Sequence, residues 1–300
     1  MTVNITTDTD FVPHPQKTEA NTSAPIVAET MQHADVKLSK VLFTGEGSSQ
    51  VLLLGKGRGR CVALWERDDG IDPFRILSIK NSEVDPNDAC KMPENRVCVG
   101  YADGSLAVFN TAKEDLTLMS RIPSVHDGSA SRAICRNGNG VLSASSNGTL
   151  SDVDVETGKA RTVFSGQAGI RSICTSFGSN VVTAGDSNGQ ITIWDLRENN
   201  GVYPTCADSL LVSANDGSLI RIDASAAPIA MGSRSQKDVI WLEGELANSL
   251  RLDPIRNESI FPISSFDIHS DTVVAASSIG MVSLYQQLPF YPNNTVFGRV

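Results

Sequence analysis

Val181-Val-Thr-Ala-Gly-Asp-Ser-Asn-Gly189-Gln-Ile-Thr-Ile-Trp194-Asp195 reads as two short strands joined by a tight turn. Apolar residues alternate with small or polar ones on both sides of that turn, which is the period-2 pattern of a strand. Asn188-Gly189 is a pair that accepts the positive φ a tight hairpin needs. Working outward from this hairpin, the same unit recurs. Six segments stack on a glycine that follows a polar turn: Gly59-RCVALWE, Gly104-SLAVFN, Gly148-TLSDVD, Gly189-QITIWD, Gly217-SLIRID and Gly280-MVSLYQ. Five of these glycines are preceded by a second strand of similar type (VCVGYAD, VLSASSN, VVTAGDSN, LLVSAND and VVAASSI). The glycines form a column of hairpin turns. A second column, of repeat-core residues, is formed by Trp65, Phe109, Val153, Trp194, Ile222 and Tyr285, each followed by a polar residue. Helical i, i+3, i+4 stripes are almost absent, so the chain is all-β.

The glycines are 45, 44, 41, 28 and 63 residues apart. A period of about 40–45 residues with four strands per unit is that of the WD-repeat propeller blade. The sequence resembles the WD40 family, most clearly in Ile191-Thr-Ile-Trp194-Asp195-Leu-Arg197. The inner strands support the register: Arg132-Ala-Ile-Cys135 starts 16 residues before Gly148, Arg171-Ser-Ile-Cys174 starts 18 before Gly189, and Ser264-Ser-Phe-Asp267 starts 16 before Gly280. Cys135 and Cys174 are thereby read as small apolar residues at one repeat position. The family's Gly-His before the inner strand is missing and only Trp65 and Trp194 occupy the tryptophan column, so its buried His–Ser–Asp–Trp network is expected to be incomplete in every blade. The 28-residue step is too short for a whole blade. We therefore expect six recognisable blades, with one lost or truncated from an ancestral seven near 197–209, and an insertion at about 224–260 that contains the apolar strand Val239–Leu242. The expected organisation is an N-terminal extension over 1–33, mostly disordered, a propeller over 34–290 and a tail over 291–300. Segment 24–30 is the candidate for a strand that closes the ring, because Pro289 and Pro292 leave no good fourth strand after the last hairpin.

Composition narrows the function classes. Twenty-five basic residues against 34 acidic ones give a formal charge of −9, which opposes tight binding of nucleic acid or anionic lipid. No apolar run reaches the eighteen or so residues of a membrane helix, and the N-terminal residues lack the pattern of a secretory signal. Six cysteines at 61, 90, 98, 135, 174 and 206 include no C-x-x-C pair, so free thiols in a reducing compartment are expected, and no zinc ribbon.

The segment Gly55-Lys-Gly-Arg-Gly-Arg60 has neither the P-loop nor the dinucleotide spacing and is read as a solvated basic hairpin turn, whose Lys56, Arg58 and Arg60 are free to touch an acidic partner. The four histidines, 14, 33, 126 and 269, are scattered, with His126 assigned to a loop between blades. Asp103, Asp186, Asp216 and Asp271 fall in or near turns, where aspartate caps backbone amides. No Ser/His/Asp or Cys/His arrangement has local support. We expect no enzyme, no catalytic residue, no cofactor and no metal.

One further resemblance concerns the C-terminal layout: Arg221-Ile-Asp-Ala-Ser225, a polar stretch, Asp238-Val-Ile-Trp-Leu242, the inner strand Ile263–Ile268, Val273–Ser278 and a last strand stopping near Phe290. Together with the early start at Asp35-Val-Lys-Leu-Ser-Lys40, this is similar to the WD-repeat nucleoporins of the Y-shaped nuclear pore subcomplex. The resemblance implies a non-enzymatic scaffold at the nuclear envelope that contacts other nucleoporins, supports transport of protein and mRNA, and associates with kinetochores in mitosis. The charge balance and the lack of a long apolar run lead us to expect no direct nucleic-acid contact and no membrane insertion, and no small-molecule substrate is expected. The alternatives are an adaptor of a ubiquitin ligase or chromatin complex and, more remotely, a propeller hydrolase. Partner-contact residues are not legible in the sequence.

Overall fold

The computed structural model describes residues 28–44, 49–68, 74–112, 114–175, 181–187, 191–196, 212–213, 219–220, 229–232, 239–243, 251–254, 263–269 and 272–286. Strand β1 (Ala28–His33) comes first in the chain but belongs to the last sheet. The first sheet pairs β2 (Lys37–Thr44), β3 (Gln50–Lys56), β4 (Cys61–Arg67) and β5 (Phe74–Asn81) in chain order. The second repeats this with β6 (Pro86–Met92), β7 (Arg96–Tyr101), β8 (Leu106–Asn110) and β9 (Thr117–Ile122). The third does so with β10 (Ser131–Asn137), β11 (Gly140–Ser145), β12 (Thr149–Val153) and β13 (Ala160–Ser165). Next come three strands, β14 (Ile170–Thr175), β15 (Val181–Asp186) and β16 (Ile191–Asp195), then a short hairpin of β17 (Val212–Ser213) and β18 (Leu219–Ile220). A three-stranded sheet of β19 (Ile229–Gly232), β20 (Val239–Glu243) and β21 (Arg251–Pro254) follows. The last sheet consists of β22 (Ile263–His269), β23 (Thr272–Ser277) and β24 (Met281–Gln286), with β1 added outside β24. Every pairing is antiparallel, and there is no α-helix among the described residues.

The first strands of neighbouring sheets lie against one another, β22 on β2, β2 on β6, β6 on β10 and β10 on β14, so these strands ring a central axis. The result is a β-propeller. Its cores lie between blades, not within them. Val51 and Leu53 pack with Trp65 and with Val274, Val282 and Leu284 of the last blade, whereas Leu52 and Leu54 pack with Val97, Val99 and Phe109 of the second. The run Val51-Leu-Leu-Leu54 is continuously apolar because successive side chains of a strand point to opposite faces and here both faces are covered. Cys135 is buried in the core between the third and fourth blades, and Cys174 is buried on β14, as small apolar residues would be.

Six hairpins of the stacked register fall in six different sheets. The β19–β21 sheet has no member of the glycine column and occupies the stretch read as an insertion at 224–260, with Val239–Leu242 inside its central strand. Residues 197–209, Gly189, Gly217 and Ile222 lie outside the described residues. Segment 28–33, counted in sequence with the N-terminal extension, is the strand β1, and it pairs from Ala28↔Gln286 to His33↔Met281. Residues 24–27 of the expected closing segment lie outside the described residues, as do 1–23 and the tail 291–300.

The glycine column has a steric cause beyond the turn itself. Gly148 has φ +86°, and a Cβ built there would lie 2.5 Å from the Gly166 carbonyl oxygen and 2.8 Å from that of Ala168, in the loop entering the next blade. Gly104 and Gly280 share the positive φ and face the corresponding loops at Ser129 and Val36. Gly148→Ala should therefore cost about 1–3 kcal/mol, combining left-handed strain with the clash. Gly138→Ala supplies the control, since Gly138 has φ +58° with open space around its Cβ. Thermal unfolding of the two variants checks this: a melting temperature equal in both would remove the clash from the account.

Candidate interaction surface

The inner strands decide what the ring can do chemically. Asp88 of β6 pairs with Lys40 of β2 at 2.7 Å, and its other oxygen accepts the Ile134 amide of β10 at 2.9 Å. Ser265 of β22 accepts the Val41 amide at 3.2 Å, and Asp267 accepts the Phe43 amide at 2.8 Å. Lys91 comes within 3.8 Å of Asp267 and lies over the Phe43 ring. Each of these bonds runs from one blade to another. The carboxylates along the axis thus serve as inter-blade stitches, and they do so because an inner strand has one open backbone edge whose amides need acceptors. Ser172 of β14 occupies the register position of Asp88 and Ser265, yet its buried hydroxyl has no partner among the described residues.

His126 sits in the connection between blades where the sequence places it, and there it is buried, at 2% exposed. Nε2 lies 2.9 Å from Ser143 Oγ and Nδ1 2.8 Å from Thr149 Oγ1, and Ser143 Oγ is a further 2.9 Å from Ser131 Oγ. Burial pulls its pKa down to about 4, with the Asp127 carboxylate opposing only in part. The His–Ser part of the family network therefore exists in the third blade. Sequence reasoning missed it because Val125, not glycine, precedes the histidine, and Val153 stands in the tryptophan column. In the first blade the reverse holds: Trp65 is buried against Phe74, but its indole N–H has no partner among the described residues, since an aliphatic Val51 stands opposite it.

The basic turn is likewise less free than its sequence suggested. It forms a 3-10 turn at Gly57–Gly59. Lys56 Nζ donates to Asn87 at 2.8 Å, and Arg60 donates to Asp85 at 2.9 Å and to the Glu83 carbonyl at 2.8 Å. Two of the three cations thus clasp the connection into the second blade. Arg58 is exposed and forms no ion pair among the described residues. Asp103 caps its own turn through Ser105, as expected of a turn aspartate. Asp186 ends β15, and Asp216 and Asp271 lie outside the described residues.

In the column of repeat-core residues, Trp65, Phe109 and Val153 are buried on β4, β8 and β12; Trp194 pairs in register with Val182 and Tyr285 with Val273. The described cysteines are buried and form no disulfide with one another, and desolvation raises the Cys98 thiol to about 12. Among the described residues no group of three or more His, Cys, Asp or Glu is placed to hold a metal, and no helix is long and apolar enough to cross a membrane.

No family model matches this chain, and no curated protein matches it in sequence. Among solved structures, the crystal structure of the WD40 β-propeller domain of Doa1 is similar, with a TM-score of 0.63 over 87% of this chain and 96% of that one, at 16% identity. At that identity the likeness is one of fold. The fold is a WD40-type β-propeller.

Proposed function

We propose that this chain is a non-catalytic protein-interaction scaffold, and specifically a subunit of the Y complex in the outer ring of the nuclear pore. The observation that supports the scaffold reading is the use of the axial ionisable groups. Asp88 and Asp267, the carboxylates best placed to do chemistry, are spent on the backbone amides of Ile134 and Phe43. A ring stitched in this way is a rigid disc that offers loops and strand edges to partners. The nuclear pore assignment rests on the C-terminal layout and its resemblance to the small WD-repeat nucleoporins. It carries with it other nucleoporins as partners, nuclear-envelope residence, a part in protein and mRNA transport and a mitotic kinetochore association.

A tagged copy should mark the nuclear rim in interphase and recover nucleoporins on affinity purification. Recovery of ubiquitin-ligase or chromatin subunits without nucleoporins would replace the assignment by the adaptor reading. Hydrolytic turnover by the purified chain would overturn both.

A further inference from the structure

In five inner strands the pairing register slips by one residue at the same place. The slips lie between Leu38 and Lys40, Pro86 and Asp88, Ser131 and Ala133, Ile170 and Ser172, and Ile263 and Ser265. The extra residue of each bulge is therefore Ser39, Asn87, Arg132, Arg171 or Ser264. A bulge leaves its extra residue unpaired and re-aims its side chain, so these five positions have equivalent access to their surroundings.

Three of the five side chains are spent on the fold. Ser39 Oγ donates to the Pro86 carbonyl of the next blade at 3.0 Å, Asn87 Nδ2 donates to the Ser131 carbonyl of the next blade at 2.8 Å, and Ser264 Oγ donates to the Ala276 carbonyl at 3.0 Å. The two arginines are not. Arg132 and Arg171 are both exposed, and neither forms a hydrogen bond or ion pair among the described residues. They stand on adjacent inner strands, β10 and β14, at the same register position. Each bulge lies at the strand end beside the turn after the second strand, where Ser146 N bonds the Ala130 carbonyl and Ser187 N bonds the Gly169 carbonyl. Both arginines thus belong to one face of the ring, beside its axis.

We infer that Arg132 and Arg171 are a recognition pair for the anionic groups of an acidic peptide segment, carboxylate or phosphate, presented by a partner protein. The inference rests on the scaffold reading and supplies the chemistry of a partner. A guanidinium offers a planar fork of donors that matches carboxylate and phosphate oxygens, and two such forks in neighbouring blades suit a short segment with spaced negative charges. The chain's net charge of −9 opposes a long polyphosphate and leaves this pair as a local attraction within a repulsive mean field. A nucleic acid is accordingly the disfavoured occupant.

The test is fluorescence anisotropy of the full chain with labelled oligoglutamate, a phosphoserine peptide, a polyglutamine control and oligouridine. The anionic peptides should bind, and the double variant Arg132→Glu/Arg171→Glu should bind them about tenfold more weakly or worse. Arg58→Glu, at an exposed arginine of the first blade that lies in the turn after β3 and outside the bulge register, should change binding by less than about twofold. Should the double glutamate variant fold poorly, Arg132→Gln/Arg171→Gln gives the same readout with less repulsion. A stronger response to phosphoserine points to a phosphorylated segment and a stronger response to oligoglutamate to a carboxylate-rich one; either supports the pair. Anionic peptides binding no better than polyglutamine, an equal loss in Arg58→Glu, or tighter binding of oligouridine than of either peptide would each overturn it. If the peptides fail while the tagged chain still recovers its assembly, the recognition pair falls and the scaffold reading stands.

Discussion

Deleting residues 1–33 is expected to lower the stability of the ring by about 5 kcal/mol and to make the chain aggregate. The deletion removes β1, which pairs with β24 over six residues, and with it a ladder of backbone hydrogen bonds worth about 1 kcal/mol each net. It also removes a clasp between the last and first blades. Gln32 accepts the Phe74 amide at 3.0 Å, and His33 Nε2 lies 3.1 Å from the Ile279 carbonyl. Without β1 the edge of β24 is bare, and a bare edge is a template for pairing with another chain. Thermal unfolding, light scattering and amide exchange of β24 check the result. A synthetic peptide spanning 24–34, added in trans, should restore protection to β24. A deletion variant that melts with the full chain and stays monomeric would show that β1 contributes little to closure.

Lowering the pH should bring the second large effect, through His126. Its imidazole is neutral in the fold, with a pKa of about 4 against 6.5 in an unfolded chain, because burial disfavours the charged form. The unfolded state therefore binds the proton first as pH falls. The stability from keeping His126 neutral is fully present above pH 6.5 and is lost progressively down to about pH 4, by roughly 3 kcal/mol in all. The depressed carboxylates, Asp103, Asp115 and Asp154, titrate below 3.8 and lose their contribution in a lower window, so the two effects separate. Denaturant unfolding across the range should show this slope in the native chain and a flatter one in His126→Gln. The variant should also be about 1–2 kcal/mol less stable at pH 7, because Ser143 and Thr149 lose well-placed partners. Equal slopes in the two proteins would remove His126 from the account.

The positions legible in the sequence and those that were not differ in where their constraints arise. A turn glycine with positive φ is demanded by the two strands on either side of it, so Gly104, Gly148 and Gly280 could be stacked without knowing any neighbour. The alternation of apolar residues, the 41–45-residue step and the inner-strand cysteines Cys135 and Cys174 are equally local signals, and they were enough for an all-β propeller. The bulge at Ser39, Asn87, Arg132, Arg171 and Ser264 was not legible. Arg132, Arg171 and Ser264 start three inner strands at matching distances from their turn glycines, but an extra residue in a strand shows only once its pairing partner is known.

What the sequence by itself determined is the class of fold and the approximate count of hairpins, because both follow from turn chemistry and strand period within single segments. Tertiary structure alone decided the rest. It made Lys56 and Arg60 clasps and not bait for a partner, because Asp85 and Asn87 of the following blade come within hydrogen-bond reach. It buried the ring of His126 within its own connection, where two hydroxyls, Ser143 and Thr149, converge on the ring nitrogens. It left Arg132 and Arg171 as the two bulge residues with no partner among the described residues, because the polar atoms that occupy Ser39, Asn87 and Ser264 are supplied by other strands of the ring. Such pairings join residues 12 to 47 positions apart in the chain and depend on which strands become neighbours, which no short-range pattern encodes.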